Sequence, residues 1–380
     1  MSIDTAPATL ANWRNPPFNR WAFHHVREIV PSADIPNAPF DIAPLPAAPR
    51  PLPEVDAFFA ETASDGLLVL HGGRVVYERH ANGMTPEAPH ILMSVSKSML
   101  GLLAGILEAR GALRLDAPAA SILPELSGSA FQDATLRQLL DMRAGIAFDE
   151  DYLATSGPIV EYRKATGWNP LAPGEAPSDL RTFLPSLRDK DGEHGGRFKY
   201  TSPNTDLLGL AIERATGRRY ADLMSEWLWK PLGAERPAYI TVDRLGAPRC
   251  AGGMCVTLRD LARVGRLVLD RGRRGTAQIV PEAWIEDLET RGDAQAWNAG
   301  NLAEHFGPAA MRYRAKWYAL DAGGRTILFG WGIHGQHVFI DRANALVVAK
   351  HSSQALPVDA PALRRTVDFV SGLGARLARD

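Results

Sequence analysis

The chain has 380 residues, of which 46% are hydrophobic and 22% charged, and its formal net charge is −1. This length and composition are typical of a globular protein with a large core that divides into two domains. The near-neutral charge argues against nucleic acid or an anionic membrane as a partner. No run approaches the ~20 apolar residues of a membrane span, and the N-terminus lacks the basic and apolar regions of a signal peptide, which predicts a cytoplasmic protein.

The first predicted elements are an extended arm and a hairpin. Residues Pro36 to Pro53 are rich in proline, which predicts an extended arm lying on the protein surface. Two apolar runs, Gly66 to Leu70 and Arg74 to Glu78, flank a short His-Gly-Gly turn. This pattern predicts a β-hairpin.

The segment Ser94-Val95-Ser96-Lys97 opens a predicted helix. Apolar residues then recur at helical spacing, at Met99, Leu102, Leu103, Ile106 and Leu107. Residues three apart lie above one another on a helix, so the Ser94 hydroxyl and the Lys97 amine share one face. A serine hydroxyl is a weak nucleophile without a nearby base, so the pair is a candidate nucleophile and base. Taken alone, the motif equally describes a serine that caps a helix.

Residues 114–241 are predicted to be helical and rich in loops. Within them, Tyr200 follows a Gly-Gly pair and precedes Pro203, which places it on a loop ahead of a helix that Asn204 can cap. Taken alone, Tyr200 also fits a buried tyrosine whose hydroxyl bonds to the backbone.

Strands return from about Ala251. The run from Gly330 to Gln336 is a glycine-rich strand followed by a predicted hairpin, and glycines within a strand often mark close approach of another backbone or a ligand. His334 alone fits a hydrogen-bonded core histidine. The two cysteines have no zinc or redox spacing, which predicts reduced thiols, and the last helix is predicted near residues 360–377.

Together the three motifs resemble the serine β-lactamase and penicillin-binding-protein superfamily, in its class C-like esterase and amidase branch. Further segments resemble the 6-aminohexanoate-dimer hydrolases, namely Trp13 to Phe23, Val30 to Ala33, Glu150 to Tyr152, Asp260 to Arg266 and Gly332 to Gln336. The resemblance implies an α/β domain with a central antiparallel sheet flanked by helices. This domain comprises residues 1–113, including an N-terminal arm 1–55, and residues 242–380, while residues 114–241 form a helical domain.

The resemblance also implies a mechanism. Ser94 attacks a carbonyl carbon and forms an acyl-enzyme, while Lys97 and Tyr200 share the proton relay. The lysine ammonium is expected to lower the pKa of Tyr200, and burial is expected to lower that of Lys97, so either group can accept the serine proton. The backbone N–H groups of Ser94 and Ile333 form the oxyanion hole. No metal or cofactor is implied.

Two departures from the β-lactamases bear on the substrate. Ile333 and His334 stand where β-lactamases have a lysine and a threonine that hold the substrate carboxylate, and Ser202 stands where the class C pattern has an asparagine. We therefore predict hydrolysis of esters and short linear amides of the 6-aminohexanoate-dimer type. β-Lactamase or D-amino-acid peptidase activity is the alternative, and an acylated ligand-sensing module is the non-enzyme alternative.

The resemblance further implies a set of substrate contacts, at Tyr152, Trp168, His334 and Ala251. The dimer hydrolases carry an acidic residue on the loop after their counterpart of Tyr152, whereas this chain carries Arg163 and Lys164, with Glu161 nearby as a substitute. A cationic loop repels the ammonium end of the linear dimer, which predicts good ester cleavage and weak dimer hydrolysis. The predicted partner is a small-molecule ester or amide, and a homodimer is left open.

Overall fold

The computed structural model describes residues 7–377. Its strands are β1 (Ser32–Ile35), β2 (Ser64–His71), β3 (Arg74–His80), β4 (His90–Ile91), β5 (Ala238–Thr241), β6 (Met254–Val256), β7 (Arg273–Arg274), β8 (Ala277–Gln278), β9 (Met311–Arg314), β10 (Trp317–Asp321), β11 (Thr326–Gly332), β12 (Gln336–Asp341) and β13 (Leu346–Ser352).

The α-helices are α1 (Asn19–Ala22), α2 (Pro53–Glu61), α3 (Val95–Ala109), α4 (Ala119–Ile122), α5 (Leu136–Leu140), α6 (Pro158–Ala165), α7 (Leu180–Ser186), α8 (Pro203–Thr216), α9 (Tyr220–Met224), α10 (Lys230–Leu232), α11 (Leu258–Leu269), α12 (Glu282–Thr290), α13 (Ala294–Asn298), α14 (Ala303–Phe306) and α15 (Ala360–Leu377). Short 3₁₀ segments are Val26–Glu28, Pro124–Leu126, Ile333–Gly335 and Arg342–Asn344, and a π-helix spans Ser225–Trp229.

A central antiparallel sheet organises the fold, in the strand order β3-β2-β13-β12-β11-β10-β9. Alternate side chains point to opposite faces of a strand. Leu68 and Leu70 accordingly enter the core that includes α3 and α11, whereas Leu67 and Val69 enter the core under α2 and α15. The predicted hairpins, β2–β3 and β12–β13, and the predicted last helix, α15, are confirmed.

The helix that follows Ser94 is more completely buried than its apolar repeat indicates, because its residues 95–107 are all buried. It lies at the centre of the molecule, between the large sheet and α8. Two glycines permit this packing: a Cβ added at Gly101 would lie 2.1 Å from the Ala315 carbonyl oxygen, and one added at Gly105 would lie 2.4 Å from the Trp284 ring. The apolar residues that recur in the sequence are therefore only the most hydrophobic part of a helix whose residues 95–107 are buried on every side.

A second antiparallel sheet, β1-β5-β6-β4, positions the start of this helix. Strand β4 leads into Ser94, while β1 comes from the N-terminal arm and β5 ends the segment predicted to be helical. The rest of residues 114–241 forms helices and loops, and the division into two domains stays a prediction. Within the described residues, no helix is long and apolar enough to cross a bilayer.

Candidate active site

Ser94 occupies the N-cap position of α3, and Lys97 lies one turn into the same helix. The Lys97 Nζ lies 2.7 Å from the Ser94 Oγ and donates a hydrogen bond of 2.7 Å to the Ala251 carbonyl oxygen. Residue Met93, just before the serine, has a φ of 45°, a left-handed conformation that is uncommon outside glycine. The hydroxyl and the amine predicted to share a helix face are thus in direct contact.

Burial determines the protonation state of Lys97. Its side chain is only 1% exposed, and the lost hydration lowers its pKa to about 7, with the Arg249 charge acting in the same direction and Glu150 and Asp206 opposing it. Near neutral pH the amine is therefore substantially uncharged. Since the Ala251 carbonyl takes one N–H, the nitrogen lone pair remains available to the Ser94 hydroxyl.

Tyr200 completes the cluster from the loop before α8. Its backbone N–H donates to the Asn301 Oδ1 at 2.9 Å, and its hydroxyl is close enough to the Ser94 side chain for that side chain to act on the pKa of the tyrosine. The Lys97 Nζ lies 4.8 Å from the centre of the Tyr200 ring. Three side chains far apart in sequence therefore converge on one point.

The expected lowering of the Tyr200 pKa is wrong. Burial raises this pKa well above its usual value, and the negative charge of Glu150 raises it further, which outweighs the lowering by the Ser94 side chain. A buried, largely neutral Lys97 supplies little positive charge to stabilise a phenolate. Tyr200 is thus a neutral phenol that can donate a proton, and Lys97 is the better base.

Glu150 is a carboxylate at the site whose role the sequence did not reveal. It accepts hydrogen bonds from the Tyr152 hydroxyl at 2.7 Å and from the Ser202 N–H at 2.5 Å, and the Ser202 hydroxyl also donates to it. Ser202 and Tyr152 are thereby held in place around one anion. Asn204 does not cap α8 as predicted but lies buried inside it, donating to the Met142 sulfur.

A buried ion pair holds Ala251, the residue whose carbonyl oxygen accepts a hydrogen bond from Lys97. Asp206 on α8 pairs with Arg249, and its other carboxylate oxygen accepts the Ala251 N–H at 2.7 Å. This contact orients Ala251, whose carbonyl oxygen accepts the hydrogen bond from the Lys97 amine. Nothing local in the sequence indicated the pair, because its members are separated by 43 residues.

Replacing Asp206 with alanine is expected to destabilise the protein by about 3 kcal/mol, since removing one member of a buried pair leaves the other charge uncompensated. Urea unfolding monitored by tryptophan fluorescence measures this change. Glu125→Ala is the control, because its partner Arg214 is half exposed, and we expect the urea midpoint to stay near that of the wild type. Equal destabilisation by the two substitutions would contradict the structural role of Asp206.

Gly332, at the end of β11, lies against the backbone of Ser94. A Cβ at this position would lie 2.6 Å from the Leu92 carbonyl oxygen and 2.9 Å from the Ser94 nitrogen. Close approach of another backbone, one of the explanations for glycines in this strand, therefore occurs at Gly332, whereas a Cβ added at Gly330 would meet side chains. Ile333 follows directly in the chain and, like Ser94, borders the first cavity described below, so its N–H stays a candidate for the second donor of an oxyanion hole.

Gly332→Ala is expected to lower kcat/KM for ester hydrolysis by about 100-fold, because the strand must shift and misplace one of two oxyanion donors. Steady-state kinetics with p-nitrophenyl butyrate measures it. Gly192→Ala is the matched control, since no atom lies within 4 Å of the added Cβ there. A Gly332→Ala enzyme as active as the Gly192→Ala enzyme would contradict the proposed oxyanion geometry.

Two cavities flank the cluster. The first, with a volume of about 30 Å³, is bordered by Ser94 and Ile333 and by a larger set of residues, namely Arg14, Met93, Glu150, Tyr152, Ile159, Arg163, Trp168, Ser202, Arg249, Ala251 and Gly252. The second, of about 370 Å³, is bordered by Tyr200 and also by Tyr152 and Glu150. The Tyr152 and Glu150 side chains therefore border both cavities.

The predicted substrate contacts fall into two groups. Tyr152, Trp168 and Ala251 line the first cavity, whereas His334 borders neither. The His334 Nδ1 lies 2.7 Å from the Gln354 carbonyl oxygen, its ring packs on Phe23, and burial lowers its pKa to about 4. The structure therefore favours a hydrogen-bonded core histidine at position 334 over a substrate contact.

A family model for β-lactamases matches residues 55–371 of the chain. The chain belongs to the β-lactamase family of serine hydrolases. A 6-aminohexanoate-dimer hydrolase from Paenarthrobacter ureafaciens is 36% identical to it over 350 residues, which cover 91% of this chain and 88% of that protein.

Solved structures show the same fold. A Bacillus anthracis protein named as a 6-aminohexanoate-dimer hydrolase superposes with a TM-score of 0.89 at 24% identity, covering 99% of each chain. A class C β-lactamase from Rhodobacter sphaeroides superposes with a TM-score of 0.58 at 22% identity, covering 84% of this chain and 97% of that one. The predicted fold class, a β-lactamase-like antiparallel sheet flanked by helices, is confirmed.

Proposed function

We propose that this serine hydrolase cleaves small carboxylic esters and short linear amides through an acyl-enzyme on Ser94. The observation that carries the proposal is the 2.7 Å contact between the Ser94 Oγ and the buried Lys97 amine, whose pKa is lowered to about 7. A neutral amine in hydrogen-bonding contact with a hydroxyl is the arrangement that general-base activation of serine requires.

The steps follow from the protonation states. The Lys97 amine takes the proton as the Ser94 Oγ bonds to the substrate carbonyl carbon, and the N–H groups of Ser94 and Ile333 bind the resulting oxyanion. The Tyr200 phenol then donates its proton to the departing alkoxide or amine and recovers one from Lys97. In the second half of the reaction, Lys97 takes a proton from a water molecule as its oxygen bonds to the acyl carbon, and it returns that proton to the Ser94 Oγ as the bond between Ser94 and the acyl group breaks.

The residues lining the first cavity support esters over the linear dimer. Arg163 stands in this cavity, whereas Lys164 pairs with Glu161 at 3.0 Å and with Glu175 at 2.5 Å outside it. Glu161 is thus paired with Lys164 and does not supply a carboxylate to the first cavity. The guanidinium of Arg163 opposes a substrate ammonium placed next to it.

A panel of substrates tests the proposal: p-nitrophenyl acetate and butyrate, the 6-aminohexanoate linear dimer, its N-acetylated form and a chromogenic cephalosporin. We expect many turnovers on the esters, and cleavage of the N-acetylated dimer at least about tenfold faster than of the free dimer, because acetylation removes the repelled charge. Equal rates on the two dimers would contradict the charge argument. Release of only one equivalent of nitrophenol would instead identify an acylated sensor.

The partner that this proposal requires is the small-molecule ester or amide substrate. We also propose a cytoplasmic location, supported by Cys250 and Cys255, which are buried and free of any disulfide. Unpaired cysteines are typical of reducing compartments.

A further inference from the structure

The first cavity is lined by three guanidinium groups that come from distant parts of the chain. Arg14 belongs to the N-terminal arm, Arg163 to α6, and Arg249 to the loop before β6. The only carboxylate that borders this cavity among the described residues is Glu150. The cavity therefore carries an excess of positive charge.

Two of these arginines, among the described residues, make no ion pair with a carboxylate within 4 Å, although Glu150 and Asp151 act on Arg163 at longer range. Arg249 is neutralised by Asp206, but Arg163 donates only to the carbonyl oxygens of Tyr152, at 2.9 Å, and Ala154, at 3.4 Å. Arg14 donates to the Asn169 side chain, and its Nε is buried without an acceptor. Asp151, the other acid near Arg163, is exposed and borders the second cavity.

Buried guanidinium groups without counter-ions are costly, because charge is removed from water without compensation. Arg163 is only 8% exposed, and Arg14 is half-buried, with its guanidinium within 6 Å of the centres of the Trp13 and Trp168 rings. Arginine presents a planar fork of donors that matches a carboxylate. An anion bound in the cavity would compensate these charges.

The position of Tyr200 determines which part of the substrate enters the cavity. A leaving group must lie next to the proton donor, and Tyr200 borders only the second cavity. The acyl part of the substrate then lies on the other side of Ser94, toward Arg163. Because the first cavity is small, Tyr152, which borders both cavities, must move aside for an acyl chain to enter.

We propose that the cavity bordered by Arg14 and Arg163 is a carboxylate-binding subsite for the acyl group, so that the preferred substrates are monoesters or monoamides of short dicarboxylic acids. This inference rests on the proposed function, because it assumes acylation of Ser94. In these substrates the acyl chain carries a negative charge at the end remote from the scissile bond.

The test compares p-nitrophenyl monoesters of glutaric, adipic and pimelic acids with p-nitrophenyl hexanoate and with the p-nitrophenyl ester of 6-aminohexanoic acid, each corrected for spontaneous hydrolysis. We expect kcat/KM for at least one anionic ester to exceed that for the neutral ester by about tenfold or more, the usual effect of a hydrogen bond to a charged group. The cationic ester is expected to be the slowest, and the preference should shrink at high salt. These comparisons use the wild-type enzyme and need no variant.

Variants then locate the subsite. Arg163→Gln and Arg14→Gln should each lower the ratio of kcat/KM for the anionic ester to kcat/KM for hexanoate toward one, and Arg163→Lys should restore part of that ratio. Lys164→Gln is the matched control, since it removes an equal charge one residue away but outside the cavity. It should keep the wild-type preference.

The outcomes separate this inference from the proposed function. An enzyme that turns over hexanoate and the anionic esters at equal rates would overturn the subsite and leave the hydrolase intact. An enzyme that turns over none of the esters would overturn the proposed function itself. An anionic preference that survives in both arginine variants would place the anion elsewhere and also overturn the subsite.

Discussion

The Ser94→Ala variant is expected to lose at least about 1000-fold in kcat/KM on p-nitrophenyl butyrate, the usual order of effect when a nucleophile is removed. The alanine keeps α3 intact, because Ser94 makes no side-chain cap bond. What disappears is the oxygen that lies 2.7 Å from the Lys97 Nζ. Steady-state kinetics measures the loss, and intact-mass analysis of a quenched reaction should show an acyl adduct on the wild type alone.

A second serine on the same helix provides the control for this experiment. Ser98 directly follows Lys97, about one turn beyond Ser94, is buried, and donates to the Lys316 carbonyl oxygen at 2.9 Å. Ser98→Ala removes the same atoms without touching the cluster, so we expect kcat/KM within a few-fold of wild type. If the Ser94→Ala enzyme were as active as the Ser98→Ala enzyme, Ser94 would not be the nucleophile.

The Lys97→Met variant is expected to lose about 1000-fold or more, since the nucleophile then has no base of suitable pKa. Burial lowers the pKa of Lys97 to about 7. The reactive form is the neutral amine, so kcat/KM of the wild type should be low below pH 7, rise as pH increases through about 7, and level off above it. A pH profile from 5 to 9 measures this limb.

The Lys97→Arg variant separates a base from a fixed positive charge. Arginine stays protonated across this pH range, so it supplies the charge but accepts no proton. We expect it to be as inactive as the methionine variant, with comparable urea midpoints verifying that both fold. Substantial activity in Lys97→Arg, or a wild-type rate that falls as pH rises through 7, would contradict the role of Lys97 as the base.

Local patterns in the sequence predicted the elements that carry the site. The spacing of Ser94 and Lys97 within an apolar repeat indicated a helix with both groups on one face, and the structure shows them in contact. The glycines of β11 indicated close backbone approach, which occurs at Gly332. These features depend on neighbours within a few residues, so the sequence alone carries the information.

The surroundings of the cluster could not be predicted in the same way. Glu150 and Asp206 are single acids in segments with no distinctive pattern, yet one holds Tyr152 and Ser202 and the other orients Ala251. Except for Tyr152, the residues that Glu150 and Asp206 contact lie 43 to 52 positions away in the sequence. These contacts form only when α8 packs against the loops, so no local sequence pattern predicts them.

The sequence by itself indicated the family and its antiparallel fold, because the order of its three motifs resembles that family, and it indicated Ser94, Lys97 and Tyr200 as the candidate catalytic residues. The tertiary structure decided how strongly burial acts, since it lowers the pKa of Lys97 to about 7 and raises that of Tyr200, against the expectation for the tyrosine. It alone also placed Arg14 beside Arg163. The physical reason is that desolvation and electrostatic interaction depend on which distant segments enclose a group, and neighbouring residues in the chain do not define that enclosure.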